Sequence, residues 1–175
     1  LLPLYKARWL AGEEALTVVG PPGTEALVED LFGAFAYLQD RMPVAVREID
    51  EGAATVAGFD LTAMATRHSA DGLAYRVADA LTITGDTREF QALVDFAAVG
   101  SVLVHDCSFP DSTDAETHTT PSKLAQVLDG AALDRVYLTH LYPQTEGHED
   151  RMVETVRSRF DGAVAIARDG LTIEV

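Results

Sequence analysis

The texture of the sequence changes at Gly85, and that change limits the folds open to the chain more than any other feature. From Val44 to Val77 the apolar segments are short and alternating: Val44-Ala45-Val46, Ala54-Thr55-Val56, Leu61-Thr62-Ala63-Met64 and Leu73-Ala74-Tyr75-Arg76-Val77, with Gly and Asp between them. Such spacing predicts an antiparallel meander. After Gly85 strands alternate with helices. Phe90, Leu93, Val94 and Ala97 make a helical stripe, and Val102-Leu103-Val104 is a strand. Pro121 opens a helix with Leu124, Val127 and Leu128 inward, 135–139 is a strand, and a helix near 149–160 turns Met152, Val153, Val156 and Phe160 inward. Two closing strands, Val164 to Ala167 and Leu171 to Val175, are joined through the turn dipeptide Asp169-Gly170. A meander followed by alternation implies an α/β fold, a sheet covered by helices on its outer side.

Ahead of the meander, Leu2 to Trp9 reads as a short helix and Leu16 to Val19 as a buried strand. Gly20-Pro21-Pro22-Gly23 forces a turn, and Thr24 caps a helix whose apolar stripe is Leu27, Val28, Leu31, Phe32 and Phe35. No Lys-Ser/Thr follows the glycines, which excludes a nucleotide P-loop; a tight strand-to-helix connection is the simpler reading. The 175 residues suit one domain, 1–175. They begin on Leu1-Leu2-Pro3 with no initiator Met, like an element cut open, so the chain is expected to be a fragment whose N-terminal strands are missing.

Three segment ends carry the chemistry. Met64 to Ser69 is strand-like and delivers His68; Leu81-Thr82-Ile83-Thr84-Gly85 delivers Asp86; Arg135 to Thr139 delivers His140. Histidine and aspartate are ligand types for first-row metals, and the ends of strands are where sites are commonly built on α/β sheets. If the three converge, a carboxylate between two imidazoles can bridge two cations about 3.5–4 Å apart. Zinc or manganese accepts such mixed ligation. His118, on the loop 116–120, by itself reads as an exposed loop histidine, and beside a metal pair it could protonate a leaving oxygen if a carboxylate holds its tautomer; His105 reads as structural and His148 as solvated. Ser69 lacks a Gly-x-Ser-x-Gly elbow, and Cys107 reads as a small buried hydrophobe.

Charge and cysteine usage narrow the setting. Thirteen basic against 28 acidic side chains give −15, which disfavours sequence-independent binding to a phosphate backbone. A single cysteine forbids an intrachain disulfide, so a reducing cytoplasm is expected. Neither a membrane span nor a signal peptide is expected from the pattern.

Taken in order, Thr17 to Thr24, Arg67-His68-Ser69, Tyr75-Arg76-Val77, Thr84-Gly85-Asp86-Thr87, Leu103-Val104-His105-Asp106, His118-Thr119-Thr120, Leu138-Thr139-His140 and Ala167 to Gly170 resemble metallo-β-lactamase-fold hydrolases of the ribonuclease Z-like branch. The resemblance implies an αββα sandwich, a two-metal site and a homodimer. His68 and His140 would ligate one ion each and Asp86 would bridge them. Asp106 would be the orienting acid and His118 the proton donor, in loops matching the family's His-Glu-Ala-Thr and His-Ser-Thr sequences. The family's His-x-His-x-Asp-His motif is absent from these residues, so the three ligands alone are expected to hold at most one ion weakly, and residues 1–175 alone are expected to be inactive. Only Ala78-Asp79-Ala80 stand where arm-bearing ribonuclease Z proteins insert their tRNA-binding arm. The expected function is therefore hydrolysis of a small phosphodiester or related ester. The alternatives are arm-less tRNA 3′ processing and a non-catalytic scaffold or dimerisation module.

Overall fold

The structure, a computed structural model, describes residues 1–175. They form two compact units, Leu1–Asp50 and Glu51–Val175. In the first, helix α1 (Leu2–Leu10) precedes strand β1 (Leu16–Gly20), helix α2 (Thr24–Ala34) and strand β2 (Val44–Glu48). β1 and β2 pair in parallel, with Leu16 opposite Val44. The Val44 segment is thus the second strand of a β-α-β unit and not part of the meander, because its partner lies on the far side of a crossover helix. Tyr5, Leu38 and Met42 form this unit's core; the Tyr5 hydroxyl shares its one proton between the carbonyls of Leu38 and Met42 and accepts the Met42 amide.

The start of α2, its apolar stripe and strand β1 differ from the expectation. Thr24 does not cap α2: its hydroxyl donates to the Pro21 carbonyl. Instead the Glu48 carboxylate accepts the Gly23 and Glu25 amides at 2.7 and 3.0 Å. The amides at the start of the helix are therefore already satisfied by a carboxylate from β2, which suits the positive end of the helix dipole. The expected stripe of α2 is also only partly buried: Val28 is inside, while Leu27 and Phe35 are exposed and β1 is half-buried.

The second unit is built on a seven-stranded mixed sheet in the order β3-β4-β5-β6-β7-β8-β9. Its strands are Gly52–Val56, Phe59–Ala65, Leu73–Val77, Leu81–Ile83, Val102–Asp106, Arg135–Thr139 and Ala163–Ile166. β3 to β6 form the antiparallel meander, and β6 to β9 are parallel. The parallel connections carry α3 (Gln91–Ala97), α4 (Pro121–Leu128) and α5 (Glu149–Arg157). Leu103, Val136, Leu138 and Val164 from the sheet pack with Val94, Ala97, Leu124, Leu128, Met152, Val156 and Phe160 into one buried cluster. Apolar burial on this scale is the main favourable term for the unit. The expected last strand, Leu171 to Val175, does not form; β9 is the edge strand, and Leu171 and Val175 stay exposed with no ladder to join. No helix is long and apolar enough to cross a membrane.

The turn from α3 into β7 is tight. A Cβ built on Gly100 would lie 2.9 Å from the carbonyl carbon and oxygen of Ala80. That oxygen also accepts the Ser101 and Val102 amides, so the backbone has little room to retreat. Gly100→Ala is expected to destabilise by about 1–3 kcal/mol. Gly33→Ala, with nothing near its Cβ in α2, is expected to be neutral or stabilising by up to about 1 kcal/mol. Thermal melts of the two variants check the contrast.

Candidate metal centre

β4 and β6 run the same way because each is antiparallel to β5, and β7 and β8 continue parallel to β6. The carboxyl ends of these four strands therefore share one edge of the sheet. Residues immediately after them converge there although they lie far apart in the chain. β4 ends at Ala65, earlier than the strand-like run to Ser69 suggests, and His68 follows in a bend. Asp86 follows β6 behind Gly85, whose φ of 63° glycine adopts at no steric cost. Asp106 is the last residue of β7. His140 sits directly past β8 with φ 61°, a left-handed conformation that is uncommon for any side chain but glycine. Such a backbone costs on the order of 1–3 kcal/mol and tends to persist where a side chain must be aimed.

The rings form a row. His68 and His118 have centroids 4.7 Å apart, and His118 stacks on His140 at 5.2 Å. His140 Nε2 lies 3.5 Å from Asp86 Oδ1. His68 and Asp86 also line a common cavity of about 300 Å³ with Thr84 and Gly85. The three residues read from the sequence as metal ligands are thus brought to one place, together with His118.

Hydrogen-bond partners decide which ring nitrogens are available. His68 Nδ1 is 3.1 Å from the Thr117 carbonyl, which can only accept, so Nδ1 carries the proton. His118 Nδ1 is 2.7 Å from Asp106 Oδ2, again an acceptor. His140 Nδ1 is 2.8 Å from Ser108 Oγ. A histidine fixed through Nδ1–H presents its Nε2 lone pair, the arrangement typical of metal-ligating histidines with their supporting acceptors. The donor set therefore fits a divalent cation of zinc or manganese type: imidazole nitrogens with the partly exposed Asp86 carboxylate among them.

Asp106 plays another part. Asp106, His118 and His140 each place one ligand-type atom within 4.8 Å of the others. Yet Asp106 is fully buried and both its oxygens are occupied: Oδ1 accepts from the Ser108 amide and hydroxyl, Oδ2 from the Thr87 amide and His118. Four donors leave that carboxylate little capacity for a cation, and they suit an orienting acid. Ser108, which the sequence does not single out, ties this group to His140.

His105 is wholly buried, gives Nδ1–H to the Asp106 carbonyl at 2.6 Å and has its pKa pushed below the ordinary value by burial. Cys107 lies in the core cluster, where burial, then Asp106 and Asp111, push its thiol far up; it is no nucleophile. His148 is exposed at the start of α5. Phe109 and Tyr142 stack at 4.7 Å beside His118 and His140 and wall one side of the row.

Comparison with known proteins bears on the family and the fold. Residues 3–141 match the family model described as a beta-lactamase superfamily domain. A ribonuclease Z from Myxococcus xanthus is 35% identical over 99 residues, 54% of this chain and 32% of that protein. The chain thus matches about a third of that relative's length. Among solved structures, the metallo-beta-lactamase fold protein YhfI from Bacillus subtilis superposes with a TM-score of 0.77 at 20% identity, over 97% of this chain and 70% of that one. The Zn(2+)-bound PqqB from Methylobacterium extorquens gives 0.74 at 18% identity, over 100% and 69%.

Proposed function

The chain belongs to the beta-lactamase superfamily, and from that membership we propose that it is a metal-dependent hydrolase of small phosphodiesters or related esters. His68, Asp86 and His140 would contribute ligands to a site for divalent cations, with zinc in first place and manganese as the other choice. Two cations are expected when the family's remaining ligands are also present, and these three residues alone are expected to hold at most one, weakly. Cations bound there supply Lewis acidity toward water and toward a phosphoryl oxygen. The protein's own residues supply orientation and a proton. Asp86 sets its carboxylate against the His140 imidazole; Asp106 fixes His118 through Nδ1. His118, when protonated at Nε2, gives that proton to the departing oxygen. Residues 1–175 are taken as belonging to one metallo-β-lactamase-like domain, and a homodimer is expected on family grounds.

The observation that carries this reading is the meeting of His68, His118 and His140 at one sheet edge beside Asp86, each with its Nδ1 within 3.1 Å of an oxygen partner. It is tested by hydrolysis of a bis-aryl phosphodiester by the purified full-length protein. Activity is expected to vanish on chelation and return with zinc or manganese; a protein that binds neither metal and cleaves no ester would leave the scaffold alternative standing.

A second reading, tRNA 3′ processing, is favoured by relatives named ribonuclease Z. Two features speak for the smaller substrate. The β5–β6 connection is a tight turn at 78–80, with Ala78 and Asp79 both at positive φ, and the net charge is −15. Rates on precursor tRNA and on the aryl diester, measured side by side, separate the two readings.

A further inference from the structure

We propose that Ser108 is a positioning residue: its one hydroxyl proton, given to Asp106, makes its oxygen the acceptor that holds His140 with the Nε2 lone pair free for a cation. The inference rests on the metal-site reading above and adds to it the group that prepares His140.

Ser108 Oγ is 2.7 Å from Asp106 Oδ1, 2.8 Å from His140 Nδ1 and 3.3 Å from His118 Nδ1. A hydroxyl has one proton and two lone pairs. Asp106, a carboxylate accepting from four donors, can take that proton but has none to give. A short contact between two oxygens requires a proton between them, so Ser108 donates to Asp106. It is then left with lone pairs only, and the 2.8 Å contact to His140 must carry the proton of Nδ1. His118 spends its own Nδ1 proton on Asp106 Oδ2 at 2.7 Å, which explains why its approach to Ser108 is the longest of the three. One buried carboxylate thereby sets two tautomers, that of His118 directly and that of His140 through Ser108.

The backbone amide of Ser108 also donates to Asp106, and that bond survives any side-chain change. Ser108→Ala therefore removes the hydroxyl and keeps the turn, while Ser108→Thr restores a hydroxyl. The test is a long-range proton–nitrogen correlation spectrum of the histidine rings in the metal-free protein, followed by zinc titration. In the unaltered protein His140 is expected as the Nδ1–H tautomer. In Ser108→Ala it is expected to shift toward Nε2–H, with zinc affinity falling about 10- to 100-fold. Ser108→Thr should restore both. His140 found as Nε2–H in the unaltered protein overturns the proposal without any variant, and so does a Ser108→Ala protein with unchanged tautomer and affinity. Should the unaltered protein bind no zinc while the tautomer shifts as described, the metal reading fails and the role of Ser108 in fixing the ring stands.

Discussion

Asp86→Ala is expected to lower hydrolysis by about 10³-fold or more and to weaken metal binding, with almost no effect on stability. The expected loss follows from the part given to Asp86. A carboxylate that neutralises and positions cations is worth several kcal/mol of transition-state stabilisation, and each 1.36 kcal/mol is tenfold in rate. The small effect on stability follows from exposure. The Asp86 side chain is 47% exposed, and its contact with His140 is long at 3.5 Å, so removing it leaves no buried group unsatisfied. Substitutions of that kind fall within about 0.5 kcal/mol. Steady-state kinetics, metal analysis and a thermal melt on one preparation make the check. A variant that keeps its metal and most of its rate would remove Asp86 from the site.

Asp106→Asn is expected to behave differently: stability reduced, rate reduced 10²- to 10⁴-fold, and zinc affinity lowered by no more than the roughly 10- to 100-fold expected of Ser108→Ala. The amide nitrogen of Asn cannot accept hydrogen bonds, so whichever way it turns, two of the four donors now satisfied by Asp106 face another donor. Each buried donor left unsatisfied costs about 1–3 kcal/mol. His118 also loses the acceptor that fixes its tautomer, which removes general-acid assistance of about 10²–10⁴-fold. Zinc content distinguishes the roles. If Asp106 were itself a ligand, the Asn variant would lose metal as Asp86→Ala does, well beyond the loss in Ser108→Ala.

Much of this site was legible in the chain because strand ends punctuate a sequence clearly. A β-branched run stopping at His140 and a Gly85-Asp86 break are local signals, and parallel strands bring their carboxyl ends to one edge. What stayed hidden was non-local or lay in the backbone. The acceptor for His68 is the carbonyl of Thr117, 49 positions away, and a carbonyl leaves no mark in a sequence. The Ser108 hydroxyl has no spacing relation to His140, 32 positions on. The pairing of Val44 with Leu16 was missed for a similar reason: short alternating segments look alike whichever strand they join, and only the crossover helix α2 makes this pair parallel. Leu171 to Val175 has the composition of a strand, but a strand exists only where a neighbour offers its ladder.

The central claim, that His140 and Asp86 share a metal ion at the sheet edge, is tested most directly by anomalous diffraction from zinc-soaked crystals at the zinc edge. The account predicts a peak about 2.0–2.2 Å from both His140 Nε2 and a carboxylate oxygen of Asp86. Zinc found only at surface groups such as His148, with the His140 and Asp86 side chains bare, would contradict it.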